Sequence, residues 1–198
     1  YAFLERTADE TGAALIATAH TADDNAETVL LNLARGAGLR GLGGIPPRRG
    51  RIVRPMLEVT RAEAEAYLTE KGVPHVEDST NASDDYARNR VRHGAVPVLK
   101  TVNPSFPKAA ARAAALLRQD EAYLEEQART FLTRCGQEGG VNAAALLEQP
   151  FPISSRAVRL LAGRELTAEH VRSVLRTARS GGCADLPGVA FIIGISRG

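Results

Sequence analysis

The sequence has few cysteines and no long hydrophobic run, and both absences narrow the classes of protein it can encode. Of its 198 residues only two are cysteine, Cys135 and Cys183, and they form no CxxC or Cys/His pattern. That spacing argues against a disulfide framework and against a zinc site. No stretch of about 18 apolar residues occurs, so no transmembrane helix is predicted. We therefore expect reduced thiols, no membrane partner and a cytoplasmic location.

Acidic residues are absent from two long tracts, although the chain as a whole has a net charge of only +2. Between Thr28 and Leu57 there are six arginines and no acid, and between Tyr86 and Gln119 every charged residue is again basic. One-signed tracts of this kind favour contact with a polyanion, and arginine grips phosphate with two parallel hydrogen bonds. The alternative is a solvated basic face, which is the usual fate of a charge run.

A dense group of ionisable side chains follows the first predicted strand. Residues 13–19 are almost wholly apolar and come after Gly12, as expected for a parallel strand covered by helices on both faces. The next residues are predicted to be helical, with an apolar stripe formed by Ala26, Val29, Leu30 and Leu33. The ionisable residues at this junction are His20, Asp23, Asp24 and Glu27. Open α/β sheets bind their ligands at such a strand end.

Two interpretations of this group remain open. A helix start needs only one cap, which Thr21 or Asp23 can supply, so the remaining acids favour a functional carboxylate cluster. Asp24 and Glu27 suit Mg²⁺, which takes one or two carboxylates together with substrate phosphates. Zinc is disfavoured because no second His or Cys stands at ligand spacing. The alternative is a set of helix caps with a solvated acidic face.

Two further segments carry candidate binding residues. The glycine-rich stretch 35–47 contains Gly36 and Gly38, whose backbone could approach a phosphate closely, although an ordinary connecting loop explains it equally well. Arg88 and Arg92 are four residues apart, so on a helix they face the same way and can clamp one anion. The alternative for this pair is surface charge balanced by nearby acids.

The order of predicted elements divides the chain into two domains. Residues 1–103 alternate between helix and strand, which predicts an α/β fold with a partial doubly wound parallel sheet. Thr60 and Glu63 form a T-x-x-E capping box, Gly72 ends that helix, and residues 73–78 are a candidate edge strand. Residues 104–198 are predicted to be a mainly helical domain, with helices over 109–117, 121–132, 143–148, 155–162 and 168–178. Two strands around a Pro-Gly turn follow.

Taken in order, the motifs resemble one known family. HTADDNAET at 20–28, LLNLARGAGLRGLGGIPP at 30–47, RIVRPML at 51–57, VEDSTN at 76–81 and YARNRVRH at 86–93 are similar to the tRNA(Ile)-lysidine synthetases of the N-type ATP pyrophosphatase, or PP-loop, group. The resemblance is close up to about residue 104 and loose beyond it. It implies a Rossmann-like PP-loop domain followed by a helical domain that docks tRNA.

The resemblance also implies a reaction and a set of site residues. ATP adenylates the C2 oxygen of the wobble cytidine of a tRNA(Ile) with a CAU anticodon, and the ε-amine of L-lysine then displaces AMP. The catalytic group would comprise His20, Asp23, Asp24 and Glu27. His20, Gly36 and Gly38 would bind the nucleotide, and Asp24 and Glu27 would lie near Mg²⁺ or the lysine ammonium. Contacts to tRNA or phosphate would come from Arg35, Arg88, Asn89 and Arg92.

One departure from the family pattern leaves other functions open. The family's SGGxDS phosphate loop is absent, so we expect an N-terminally truncated fragment without synthetase activity of its own. A PP-loop enzyme that thiolates tRNA shares HxxDDxxET, but Cys135 and Cys183 do not form the cysteine or iron–sulfur set that such an enzyme needs. A non-catalytic RNA-binding module and a purely structural fragment are the remaining alternatives. The oligomeric state is not predicted.

Overall fold

The structure, a computed structural model, describes residues 1–74, 87–137, 140–163, 166–180, 182–186 and 189–193. The chain forms two compact units, Tyr1–Gln119 and Asp120–Gly198. The helix Phe106–Cys135 runs through the division between these units, and the predicted domain boundary at residue 103 stays a prediction. The sequence analysis predicted two helices there, and that was wrong: no glycine or proline interrupts residues 108–135.

The first unit alternates helices with short strands. Its elements are α1 (Ala2–Glu10), β1 (Ile16–Ala17), α2 (Ala22–Ala34), α3 (Leu39–Leu42), β2 (Arg48–Arg49), β3 (Ile52–Val53), α4 (Arg61–Glu70), α5 (Ala87–Arg90), a π-helical turn (Val91–Ala95), α6 (Val96–Val102) and most of α7 (Phe106–Cys135). The predicted α/β character of this part of the chain is confirmed. The predicted edge strand over 73–78 lies, from residue 75 onward, outside the described residues.

The sheet of the first unit has three strands in the order β1-β3-β2. β1 and β3 are parallel, with Ile16 opposite Ile52, and the Thr18 N–H donates to the carbonyl of Val53 at 3.0 Å. β2 is antiparallel to β3. On β1, Ile16 is buried while Ala17 is exposed, and Leu15 is 49% exposed. Among the described residues, therefore, β1 is covered on one face only, whereas the apolar run had predicted cover on both faces.

Capping side chains set the starts of the two helices that flank the site. The Thr60 side chain accepts from the Glu63 N–H, and Glu63 accepts in return from the Thr60 N–H, which confirms the predicted capping box of α4. Gly72 follows the helix with φ of 63°, a conformation that favours glycine. Of the two candidate caps of α2, Thr21 is the one that the structure uses.

The second unit is mainly helical, as predicted. After the hairpin β4 (Gly136–Gln137) and β5 (Gly140–Val141) come α8 (Ala143–Glu148), α9 (Phe151–Ala162) and α10 (Ala168–Ser180), and a hairpin of β6 (Gly182–Leu186) and β7 (Val189–Ile193). α10 has an apolar stripe, in which Val171, Val174 and Ala178 are buried. Within the part of the chain that the structure describes, no helix combines the length and apolarity needed to cross a membrane.

Candidate functional site

The buried face of α2 is polar. The sequence predicted an apolar stripe that includes Leu33, but Leu33 is 59% exposed. The side chains turned into the first unit are instead Asn25, which is 1% exposed, and Glu27, which is 2% exposed, together with Asp23 and Ala26. Burial of a charged side chain is costly unless it is paired and hydrogen-bonded, so the partners of these residues define the site.

Asp24 is both a helix cap and an ion-pair partner. One carboxylate oxygen, Oδ2, accepts from the backbone N–H and the hydroxyl of Thr21, each at 2.8 Å. The other, Oδ1, accepts from Arg88 Nη2 at 2.9 Å. Burial acts to raise the pKa of Asp24, but the hydrogen bonds from Thr21 and the nearby charge of Arg88 outweigh it and hold the pKa below its usual value. Asp24 therefore stays ionised in the folded protein.

Glu27 is held between two arginines. Arg92 donates from Nε to Oε1 at 2.6 Å and from Nη2 to Oε2 at 3.0 Å, and Arg88 donates from Nε to Oε2 at 2.8 Å. The hydrogen bonds to Glu27 raise the pKa of Arg92. Arg88 and Arg92 thus share a carboxylate of the same chain, 61 residues earlier than Arg88, and their contact with phosphate or tRNA stays a prediction. We call Asp24, Glu27, Arg88 and Arg92 the α2 ion-pair cluster.

Asp23 connects α2 to two other helices. Its Oδ2 accepts from the backbone N–H of Arg61, in the first turn of α4, at 2.8 Å. Its Oδ1 accepts from Lys100 Nζ, in α6, at 3.1 Å. An acid at a helix N-terminus is favourable for the helix dipole, so Asp23 stabilises the start of α4. The sequence did not indicate that Lys100 pairs with Asp23, because the two residues are 77 positions apart.

His20 lies at the carboxyl end of β1. Its Nδ1 is 2.9 Å from the Thr18 hydroxyl, which fixes the orientation of the ring. Partial burial lowers the pKa of His20, and the charges of Arg54 and Arg88 lower it further. The negative charge of Asp24 opposes this shift without cancelling it. The imidazole is therefore neutral near pH 7, the form in which one ring nitrogen can accept a hydrogen bond.

The arrangement of Asp24 and Glu27 does not fit a bound Mg²⁺. All four of their carboxylate oxygens accept hydrogen bonds from Thr21, Arg88 or Arg92. The two guanidinium groups already balance both carboxylates, so their charge opposes a divalent cation at this position. Among the described residues, no group of three or more His, Cys, Asp or Glu side chains is placed to hold a metal ion.

The glycine-rich stretch uses its backbone for local structure. Gly36, with φ of 72°, donates its N–H to the Leu33 carbonyl at the end of α2, and the Gly38 carbonyl accepts from Leu42 in α3. Both glycines are exposed, as is Arg35, the C-cap of α2. Asn89 is buried in α5. The structure thus brings His20 and the acids together with Arg88 and Arg92, whereas Arg35, Gly36 and Gly38 lie at the far end of α2.

Sequence reasoning missed the residue that holds the glycine-rich stretch against α2. The Ile45 N–H donates to the buried Asn25 Oδ1 at 2.8 Å. Gly44, with φ of 64°, lies so close to that amide that a Cβ atom at this position would overlap Asn25 Oδ1. Arg118 of α7 donates to the carbonyl of Gly43. The signal available in the sequence was the polar Asn25 beside the predicted stripe, followed by the pair Gly43-Gly44.

A parallel strand pair with a polar, charge-bearing helix start at its carboxyl end defines an α/β protein of the nucleotide-binding type. The family model for the PP-loop domain matches residues 1–99, and the chain therefore belongs to the PP-loop family.

The curated relatives share one name. The chain is 40% identical to the tRNA(Ile)-lysidine synthase of Thermobifida fusca over 199 residues, covering 95% of this chain and 61% of the relative. It is 35% identical to that of Geobacillus kaustophilus, covering 94% and 44%, and 46% identical to that of Parabacteroides distasonis, covering 65% and 30%. The resemblance predicted from the motifs is confirmed. The chain spans between 30% and 61% of the length of these three relatives.

Proposed function

We propose that the protein takes part in the reaction named for its relatives: ligation of L-lysine to the wobble cytidine of a tRNA(Ile) with a CAU anticodon, driven by ATP. The observation that carries the proposal is the α2 ion-pair cluster at the carboxyl end of a parallel strand, in a chain whose residues 1–99 match the PP-loop domain. A doubly wound extension of the sheet, with the predicted domains 1–103 and 104–198, belongs to the same proposal. Action in the cytoplasm, where tRNA is modified, is part of it as well.

The proposed chemistry has two steps. The cytidine C2 oxygen attacks the α-phosphorus of ATP, a C–O–P bond forms and pyrophosphate leaves. The ε-amine of lysine then attacks C2, a C–N bond forms, the C2–O bond breaks with loss of AMP, and the amine proton passes to solvent. The chain must therefore bind one cation, the lysine ammonium, and several phosphate oxygens, and must hold them in line.

The roles that we propose for the acids follow from their protonation. Asp24 has a lowered pKa, which suits binding of the lysine ammonium and not acceptance of a proton near neutral pH. Glu27 holds Arg88 and Arg92 in place, and Asp23 holds the start of α4. Arg88, whose side chain is 40% exposed, is the member of the cluster that can turn towards a phosphate.

The remaining predicted contacts are also part of the proposal. His20 lies near the nucleotide phosphates, and Arg35, with Gly36 and Gly38, contacts tRNA or nucleotide phosphate from the exposed end of α2. Asn89 of α5 and Arg92 of the π-helical turn complete the proposed tRNA contacts. Since Arg88 and Arg92 already balance Asp24 and Glu27, a magnesium ion accompanies the nucleotide phosphates in this proposal, and no step depends on it.

Incorporation of radiolabelled lysine into tRNA tests the function. With ATP present, a protein that joins this chain to an SGGxDS phosphate loop should label a transcript of tRNA(Ile) with a CAU anticodon but not one with UAU, and the chain without that loop should label neither. Asp24→Asn should lower the rate by about tenfold or more, the loss expected for one charge-assisted contact. Asp9→Asn is the control, since Asp9 is an exposed acid paired with Arg51 in the same unit. Equal labelling of both transcripts by the protein that carries the loop, or none with either, would overturn the proposal.

A further inference from the structure

Among the described residues, Arg54 is a buried cation that pairs with no carboxylate. The residue is 7% exposed and follows β3 directly. Its Nη1 donates to the Pro46 carbonyl at 2.7 Å, and its Nε is fully buried and has no hydrogen-bond partner. No ion pair joins Arg54 to any carboxylate of the described residues, whereas Arg88, Arg92 and Lys100 are each matched to an acid. A guanidinium in this state is costly to bury, so its retention needs an explanation.

The position of Arg54 in the sheet gives that explanation. β1 and β3 are parallel neighbours, and the hydrogen bond from the Thr18 N–H to the Val53 carbonyl places Arg54 beside Thr18 at the carboxyl end of both strands. Thr18 orients His20 through its hydroxyl. Arg54 also acts electrostatically on His20, which agrees with their closeness. Arg54 and His20 therefore both follow strand ends at the sheet edge where ligands of open α/β folds bind.

We propose that Arg54 and His20 form an oxyanion subsite, distinct from the α2 ion-pair cluster, that receives a phosphate or carboxylate group of a substrate. A bound anion supplies the negative counter-charge that Arg54 lacks among the described residues. The Nε2 of His20, which carries no hydrogen bond among the described residues, contributes the second contact. The inference rests on the proposed function only for the source of the anion, which is either the nucleotide or the carboxylate of the amino acid.

The choice of probe identifies whether the bound anion is a phosphate or the carboxylate of the amino acid. Calorimetric titrations with pyrophosphate, with L-lysine and with cadaverine, which is lysine without its carboxylate, need neither tRNA nor turnover. Arg54→Met should weaken pyrophosphate or lysine by about tenfold, the effect of losing a charge-assisted contact. A loss confined to pyrophosphate identifies phosphate. A loss for lysine but not for cadaverine identifies the carboxylate. Arg6→Met, which removes an exposed arginine of α1, is the matched control and should bind as the wild type does.

Thermal unfolding distinguishes a ligand-binding role of Arg54 from a structural one. Because Arg54→Met removes an uncompensated buried charge, and because the exposed Pro46 carbonyl can bond to water, the ligand-free variant should unfold at the same temperature as the wild type or a higher one. Arg54→Lys, which keeps the charge, should recover part of the lost affinity. Unchanged affinities in Arg54→Met, no binding of either anion by the wild type, or an unfolded Arg54→Met would each overturn the proposal. Failure of lysine incorporation alone would overturn only the proposed function.

Discussion

Replacing Glu27 by glutamine should destabilise the first unit, because the substitution takes one buried negative charge away from two arginines. Glu27 is 2% exposed and accepts three hydrogen bonds, two from Arg92 and one from Arg88. Glutamine has nearly the same shape and keeps one acceptor oxygen, so the change removes charge without opening a cavity. The effect therefore isolates the electrostatic part of the contact.

The magnitude follows from the exposure of the partners. Hydrogen bonds to charged groups contribute about 1.5–3 kcal/mol each, and removing one partner of a buried ion pair costs about 3–5 kcal/mol. The pair with Arg92, whose side chain is 18% exposed, accounts for most of the lost stability, while solvent screens the pair with Arg88, whose side chain is 40% exposed. The amide oxygen that glutamine retains still accepts a hydrogen bond and offsets part of the lost stability. We expect a decrease of about 3 kcal/mol in the free energy of unfolding.

Urea denaturation measures this decrease through the midpoint at constant slope. Asp9→Asn is the matched control, because it removes an acid that is 69% exposed and paired with Arg51 in the same unit; it should cost less than about 1 kcal/mol. In a double-mutant cycle, Arg92→Met in the Glu27→Gln background should cost less than Arg92→Met alone. A Glu27→Gln variant no less stable than Asp9→Asn would refute the reasoning.

Two further predictions concern neighbouring contacts. Gly44→Ala should lower the free energy of unfolding by at least about 2 kcal/mol, because of the left-handed backbone and the overlap with Asn25. Gly12→Ala, with φ of 69° and open space around it, should lower it by only about 1 kcal/mol. Equal losses of stability in thermal unfolding would contradict this. The hydrogen bond from Lys108 and the cap contacts of Thr60 lower the pKa of Glu63 from 4.5 to about 2. The stabilisation by this group is thus complete above about pH 4.5 and is lost as the pH falls towards about 2. Carboxyl NMR should find that midpoint and an increase in Lys108→Met, and an unchanged midpoint would exclude the contact.

Local sequence signals predicted several helix boundaries and faces. The capping box of α4, the glycine that ends it and the apolar stripe of α10 depend on residues within one or two helical turns, and sequence spacing displays them directly. The hairpin that contains β2 was missed because Arg48–Arg49 shows no alternation of apolar and polar residues. Pairing with β3 across a turn at Gly50, with φ of 60°, decides that strand.

The sequence indicated which residue types follow β1, while their functional roles stay predictions. The spacing of Arg88 and Arg92 allowed a shared anion, yet many acids could have supplied it, and only the fold selects Glu27 from 61 residues away. Hydropathy assigned the buried face of α2 to an apolar stripe, of which Ala26 is buried, and gave no sign of Asn25 or Glu27, since it takes no account of the partners that make burial of a polar group favourable. Arg54 is one of several arginines in a basic tract, and nothing in the sequence indicated that its side chain is buried.

The pairing within the first unit has a consequence for how a polyanion would approach it. Three carboxylates, those of Asp23, Asp24 and Glu27, are matched by three cations, those of Lys100, Arg88 and Arg92, so their fields cancel within a few ångströms. Among the described residues, Arg54 is a buried cation that pairs with no carboxylate. Long-range attraction must come from exposed arginines such as Arg35, Arg48 and Arg49. For the tRNA partner proposed above, added salt should therefore slow association while leaving the paired charges around α2 largely unaffected.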